Sequence, residues 1–206
     1  MAKLTNPRGY LSYTQISEWL RSPKTYTKNY IYGEQRNIDN AYLRQGKLLA
    51  DFIEHGGDTD ELTELVAAML PRYDQVEYGI EVNFKTPKGD VVLLGKIDTF
   101  NSSTLAFREY KTGKVPWTQT RADKHLQLLH YAALVWLKTK KLPPAIHLDW
   151  AETEPDGNGE AIFTGNIKSF AVKIDLRMVL EYLNTASRVA NEIHMAYQAA
   201  LSDTLL

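Results

Sequence analysis

Not one cysteine occurs among the 206 residues. That absence excludes disulfides, zinc held by thiolates and iron–sulfur clusters. Long apolar runs are missing as well. No stretch reaches the roughly 18 apolar residues of a membrane span, and Met1-Ala2-Lys3-Leu4-Thr5-Asn6-Pro7 lacks the apolar region of a secretory signal. These absences predict a soluble, cytoplasmic protein with no membrane partner. Nor is there a surplus of either charge: 24 Lys and Arg stand against 25 Asp and Glu, a formal net of −1. Whole-molecule electrostatics therefore announces no particular partner. No internal repeat is present, and the length suits one domain over residues 1–206, burying on the order of 70% of its unfolded surface.

Local charge is uneven. Between Met1 and Arg36, Lys3, Arg8, Arg21, Lys24, Lys28 and Arg36 face only Glu18 and Glu34. Between Arg108 and Lys124, Arg108, Lys111, Lys114, Arg121 and Lys124 face Glu109 and Asp123. Acid gathers between Asp51 and Glu64. A basic rim around an acidic centre suits phosphate-backbone binding, although charged helix faces are commonly no more than solvated surface. Tyr26, Tyr30 and Tyr32, interleaved with Lys24 and Lys28, read first as amphipathic packing and second as a surface for stacking bases.

The chemistry concentrates in the middle of the chain. Asp90 to Lys111 reads as a hairpin: Val91 to Ile97 is aliphatic, Asn101-Ser102-Ser103 signals a turn, and Thr104 to Tyr110 resumes a strand. Side chains alternate along a strand, so Glu109 and Lys111 share a face, Tyr110 takes the other, and pairing across the turn brings Asp98 near. Two carboxylates with a lysine suit Mg²⁺ held against a phosphodiester. A hard cation takes oxygen ligands, here Asp98, Glu109 and the Tyr110 carbonyl. Gln127 and Tyr131 are four apart and share a helix face, opposite an apolar stripe of Leu126, Leu129, Ala133 and Trp136-Leu137. Taken singly, Asp98 could be a turn residue and Glu109 with Lys111 a solvated ion pair.

Together, Gly95-Lys96-Ile97-Asp98, Glu109-Tyr110-Lys111-Thr112-Gly113 and Gln127 to Tyr131 resemble the PD-(D/E)XK nuclease superfamily and its RecB-like branch. The ordered set is far more specific than an isolated Glu-x-Lys. The resemblance spans roughly Leu11 to Trp150. It implies an α/β, restriction-endonuclease-like core: a central mixed sheet flanked by helices, with a helical N-terminal part (1–75), a catalytic core (76–150), and a hairpin with a long C-terminal helix (151–206). It implies a Mg²⁺- or Mn²⁺-dependent deoxyribonuclease, an exonuclease of replication, recombination or repair, with Asp98, Glu109, Lys111, Gln127 and Tyr131 catalytic. Arg21, Lys24, Lys28, Lys114, Arg121 and Lys124 are the candidate DNA contacts. No Gly-x-x-x-x-Gly-Lys-Ser/Thr phosphate loop is present, so unwinding must come from a partner such as a helicase or recombination protein. Small size and resemblance fit a phage or mobile element.

Two departures from the family pattern stand out. Some relatives carry a four-cysteine cluster; Ser22-Pro23 occupies one cysteine's place, so no iron–sulfur cluster is expected. Relatives also place a histidine four residues after the glycine that corresponds to Gly46, where Ala50 stands here. His55 lies too far along the helix to replace it and suits the helix terminus instead. Glu81 is a further carboxylate on the preceding strand. The alternative reading is a nuclease-fold DNA-binding scaffold that does not cut, and Ala50 is its support. A carboxylate-pair glycosidase needs neither the lysine nor the Gln-x-x-x-Tyr helix.

The remaining pattern predicts a capping box at Ser12-Tyr13-Thr14-Gln15, helices over Ala41–His55 and about Thr59–Leu70, and a strand from Val76 to Lys85. A dense turn follows at Glu154 to Gly159, then a strand Ala161–Ile174 kinked at Gly165. Asp175 opens a long amphipathic helix on which His194 reads as surface.

Overall fold

The computed structural model describes residues 3–34 and 40–203; Arg36, counted in the N-terminal basic run, lies outside them. Strands β1 (Leu11–Ser12), β2 (Gln75–Thr86), β3 (Gly89–Phe100), β4 (Phe107–Gly113), β5 (Ile146–Pro155) and β6 (Ala161–Val172) form one mixed sheet. Helices α1 (Tyr13–Arg21), α2 (Pro23–Tyr26), α3 (Ala41–His55), α4 (Glu61–Met69), α5 (Gln119–Asp123), α6 (Leu126–Thr139) and α7 (Leu176–Asp203) flank it, with a π-helical turn at Thr27–Ile31. The predicted mixed sheet flanked by helices, helical N-terminal part and long C-terminal helix are all present. No described helix is long and apolar enough to cross a membrane.

Strand β3 organises the sheet. Its alternating burial follows the period of two set by Val91, Leu93, Gly95 and Ile97. One edge is paired along its length with β2 in antiparallel register. The other edge is shared: β1 pairs in parallel at Leu93 and Leu94, and β4 pairs antiparallel only at Thr99↔Arg108 and Phe100↔Phe107. Beyond those two pairs β4 leaves β3 and runs parallel to β5 from Phe107↔Ile146 to Gly113↔Glu152. The separation of two neighbouring strands near their ends is what makes room for a site.

Helix α6 packs between the sheet and helices α7 and α1. It is therefore buried on more than one side, with Leu128, Tyr131, Ala132, Ala133, Leu134 and Val135 inaccessible. This corrects the single stripe expected from the sequence: Leu126 is 42% exposed, and Tyr131 belongs to the core. The predicted capping box also fails. Ser12 precedes α1 without a side-chain cap, and Gln15 is buried, its Nε2 donating to the Tyr10 carbonyl and its Oε1 accepting from the Tyr26 hydroxyl. Glu154 and Pro155 still belong to β5, so the turn begins two residues later than the sequence pattern suggested.

Gly95 shows why the motif needs a glycine. A Cβ there would lie 2.7 Å from Leu134 Cδ1 and 2.9 Å and 3.0 Å from the Tyr131 ring. Both neighbours are buried and cannot withdraw. Gly95→Ala should therefore destabilise the fold by about 1–3 kcal/mol, the usual effect of overpacking a core. Urea unfolding checks this, and an unchanged midpoint would show that α6 is not pressed onto β3.

Candidate active site

Where β4 departs from β3, the Tyr110 N–H is released from the ladder and donates to Asp98 Oδ2 at 2.5 Å. The carboxylate substitutes for a strand carbonyl, which fixes it at the opening. Glu109 and Lys111 point to the α6 side, with Lys111 Nζ 2.5 Å from Glu109 Oε1. Lys111 also donates to Gln127 Oε1 at 2.8 Å. Gln127 Nε2 donates to the Tyr131 hydroxyl at 2.8 Å, and that hydroxyl donates to the Lys96 carbonyl at 2.6 Å. The five residues singled out by sequence spacing thus meet in one place. Gln127 and Tyr131 hold the lysine in this arrangement, through a relay that ends on the strand carrying Asp98.

Glu109 is 2% exposed, and its Oε2 is buried with no hydrogen-bond partner. An orphaned carboxylate oxygen in such a place costs free energy unless a cation or proton meets it. Electrostatics registers the crowding. Burial, then the neighbouring Glu109 charge, push Asp98 well above the usual carboxylate range, against the pull of Lys111. Burial also raises Glu109, with Lys111 opposing. Burial pulls the Lys111 ammonium down, but Glu109 and Asp98 outweigh it and leave the group above its ordinary value.

Helix α3 roofs the opening. Gly46 lets it approach β4 closely, since a Cβ there would stand 2.7 Å from Thr112 Oγ1. Beneath it lies a cavity of about 340 Å³ whose walls include Gly46, Ala50, Glu77, Asp98, Tyr110 and Lys111. Ala50 does face this cavity, so the place expected for a histidine holds a methyl group. His55 is exposed at the helix end, 3.7 Å from Glu54. Glu81 is exposed on β2 and lines none of this cavity; the β2 carboxylate that does is Glu77. No group of three or more His, Cys, Asp or Glu able to hold a metal stands together among the described residues.

Sequence reasoning passed over both Glu77 and His125. A glutamate in an alternating strand carries no signal of an unusual backbone. His125 precedes α6, sits 5.0 Å from the Trp117 ring and 5.9 Å from Tyr13, and leaves Nε2 buried without a partner. Burial and the Lys111 charge push it down to about 4. Of the basic candidates, Lys24, Lys114 and Lys124 are exposed, and Arg121 lies 4.0 Å over the Trp117 ring. Arg21 and Lys28 are exposed too, but face Glu18 at 3.7 Å and Glu34 at 2.7 Å, which offsets their charge. His194 is not free surface: its Nδ1 accepts from the Thr5 N–H at 3.1 Å.

Comparison with known proteins agrees with this geometry. A family model described as the PD-(D/E)XK nuclease superfamily matches residues 35–194. No curated protein matches the chain. Among solved structures, a candidate exonuclease from Eubacterium rectale is similar with a TM-score of 0.62 at 13% identity, covering 94% of this chain and 83% of that one. The protein SSO0001 is similar with a TM-score of 0.46 at 13% identity, over 93% of this chain and 78% of that one, too distant to carry an argument. At such identities the likeness concerns the fold alone.

Proposed function

Because the chain belongs to the PD-(D/E)XK nuclease superfamily, we propose that it is a metal-dependent deoxyribonuclease, an exonuclease acting in DNA replication, recombination or repair. The observation that carries this reading is the Asp98–Glu109–Lys111 group at the strand opening, with one carboxylate oxygen orphaned. All-oxygen donors suit Mg²⁺ or Mn²⁺. Asp98, Glu109 and the Tyr110 carbonyl would hold the ion, and the unpartnered Glu109 Oε2 fits that role. When bound, the cation lowers the pKa of a water and neutralises charge growing on the phosphate.

The chain's own residues do the rest. Lys111, steered by Gln127, holds an ammonium beside the carboxylates, where it orients the attacking water and stabilises the pentavalent phosphate. Tyr131 anchors Gln127 to β3. Lys24, Lys114, Arg121 and Lys124 are placed to meet backbone phosphates. Exonuclease action is part of the proposal, and a helicase or recombination protein would supply unwound ends. A single nuclease domain over residues 1–206 completes the proposal.

The test is cleavage of end-labelled single- and double-stranded linear DNA, closed circular DNA and RNA, with Mg²⁺ or Mn²⁺ and with EDTA. Metal-dependent loss of linear DNA with circles intact is the expected result. Nicked circles would make the protein an endonuclease, and degraded RNA alone would overturn the DNA assignment. Ala50 favours one second reading, a DNA-binding scaffold that does not cut. DNA retained on the protein without cleavage in either metal would establish it.

A further inference from the structure

We propose that the cavity beneath α3 receives one unpaired nucleobase of the substrate strand, at the nucleotide beside the bond that is cut. The proposal rests on the nuclease reading above and adds a base-binding subsite to it. The first support is continuity with the reactive groups. Asp98, Tyr110 and Lys111 form one wall of the cavity. Glu109 lies outside that lining, but Lys111 reaches it at 2.5 Å. A phosphate set against these groups therefore carries its neighbouring sugar and base to the mouth of the space under α3.

The second support is the shape and chemistry of the walls. Tyr42, Gly46, Ala50 and Ile53 follow one another at helical spacing, so they share the face of α3 that looks onto the cavity. That stripe is bulky at its ends and small in its middle. Gly46 sits so near Thr112 that an added Cβ would stand 2.7 Å from its Oγ1, so α3 cannot sink to fill the space that Ala50 leaves one turn later. About 340 Å³ stays open, within the range of sites for small organic ligands, which are likewise mainly apolar with a few polar groups. A phosphate or a hydrated cation gains nothing from Tyr42, Leu43, Ala50 and Ile53. A base does, because every base has a π-face that stacks on aromatic and apolar side chains.

The third support is what core packing leaves unexplained. Leu49 is inaccessible and Ile53 packs against the small core that α3 shares with α4. Packing does not account for Leu43, which lines the cavity while 60% exposed. A single exposed leucine is ordinary surface, but this one rims an open cavity beside the catalytic carboxylate. Lys47, four residues on, is exposed on the same rim. It brings a cation to where the backbone phosphate next to the inserted base would pass.

The experiment follows cleavage of an end-labelled single-stranded oligonucleotide carrying one abasic nucleotide, beside the same strand with every base present, in Mg²⁺ or Mn²⁺. The unaltered protein should cut at the abasic nucleotide about 10–100-fold more slowly than at the same bond of the intact strand, the consequence of losing one stacked base. Ala50→Leu, which fills the cavity, should slow cleavage of the intact strand and abolish the difference between the two strands. Leu43→Ser, at an exposed position, should narrow that difference without unfolding the chain. A merely structural defect slows both strands alike and leaves their ratio unchanged. Equal cleavage of the two strands by the unaltered protein, or an undiminished ratio in either folded variant, would overturn the proposal. If Ala50→Leu does not fold, Leu43→Ser decides alone. Failure of the unaltered protein to cut the intact strand would instead remove the nuclease reading, and this inference with it.

Discussion

Lys111→Ala should reduce cleavage by about a thousandfold or more, at the upper end of what one preorganised electrostatic group contributes to a transition state. The size follows from placement. The ammonium is three-quarters enclosed, with 25% of the side chain exposed, and is fixed by Glu109 at 2.5 Å and Gln127 at 2.8 Å. It needs no reorganisation when negative charge develops nearby. Lys111→Arg should not rescue, because a planar guanidinium cannot occupy the place of a compact ammonium between those two partners. Gln127→Ala, which frees the lysine without removing it, should cost less than Lys111→Ala and should fall mainly on kcat. Single-turnover cleavage of labelled linear DNA, with circular dichroism to establish that each variant is folded, separates these effects. Metal-dependent activity retained in a pure Lys111→Ala protein would sink the assignment of the lysine.

How much of this was legible in the residues depends on how local the cause is. The hairpin of β3 and β4 was readable because aliphatic alternation and Asn101-Ser102-Ser103 are local signals, and Asn101 indeed organises the turn, its side chain accepting from the Ser103 and Thr104 N–H groups. The meeting of Asp98, Glu109, Lys111, Gln127 and Tyr131 was readable because the motif is an ordered set. What stayed hidden was set by packing at long range. Tyr131 looked like a helix-edge residue until α6 was placed between the sheet and α7. Gln15 looked like half of a capping box until Tyr26 took its amide. Strand period alone puts Glu77 and Glu81 on one face, and sequence reasoning selects only Glu81. Glu77 lines the cavity and has a left-handed backbone, whereas Glu81 is exposed opposite Leu94, and no residue type announces either.

The second large effect couples pH to metal. In EDTA, Asp98 and Glu109 carry folded pKa values raised above those of the unfolded chain, whose carboxylates titrate near 4. Folding then favours the protonated forms, so their contribution is fully present below about pH 4 and is lost as pH rises through the folded values. Lys111 is also raised, so its contribution holds below its unfolded value near 10.4 and disappears only in strong alkali. Below about pH 6.5, His125 and His130, held down to about 4 by burial, act in the opposite sense. The carboxylate contribution is therefore read as the difference in stability between the metal-free protein and its Asp98→Asn, Glu109→Gln double variant, and that difference should turn against the unaltered protein as pH rises. A divalent cation binds the ionised pair and reverses this trend, because it displaces the proton that otherwise neutralises the site. At a hundredfold excess over Kd it should stabilise by about 2.7 kcal/mol, which for a chain of this size raises Tm by roughly 5–10 °C. That rise should be largest at pH 8, small at pH 5, and absent in an Asp98→Asn, Glu109→Gln double variant. Scanning calorimetry with Mn²⁺ or EDTA across that range reads all three. A metal-induced rise equal at both pH values, or one surviving in the double variant, would place the ion somewhere other than the opening between β3 and β4.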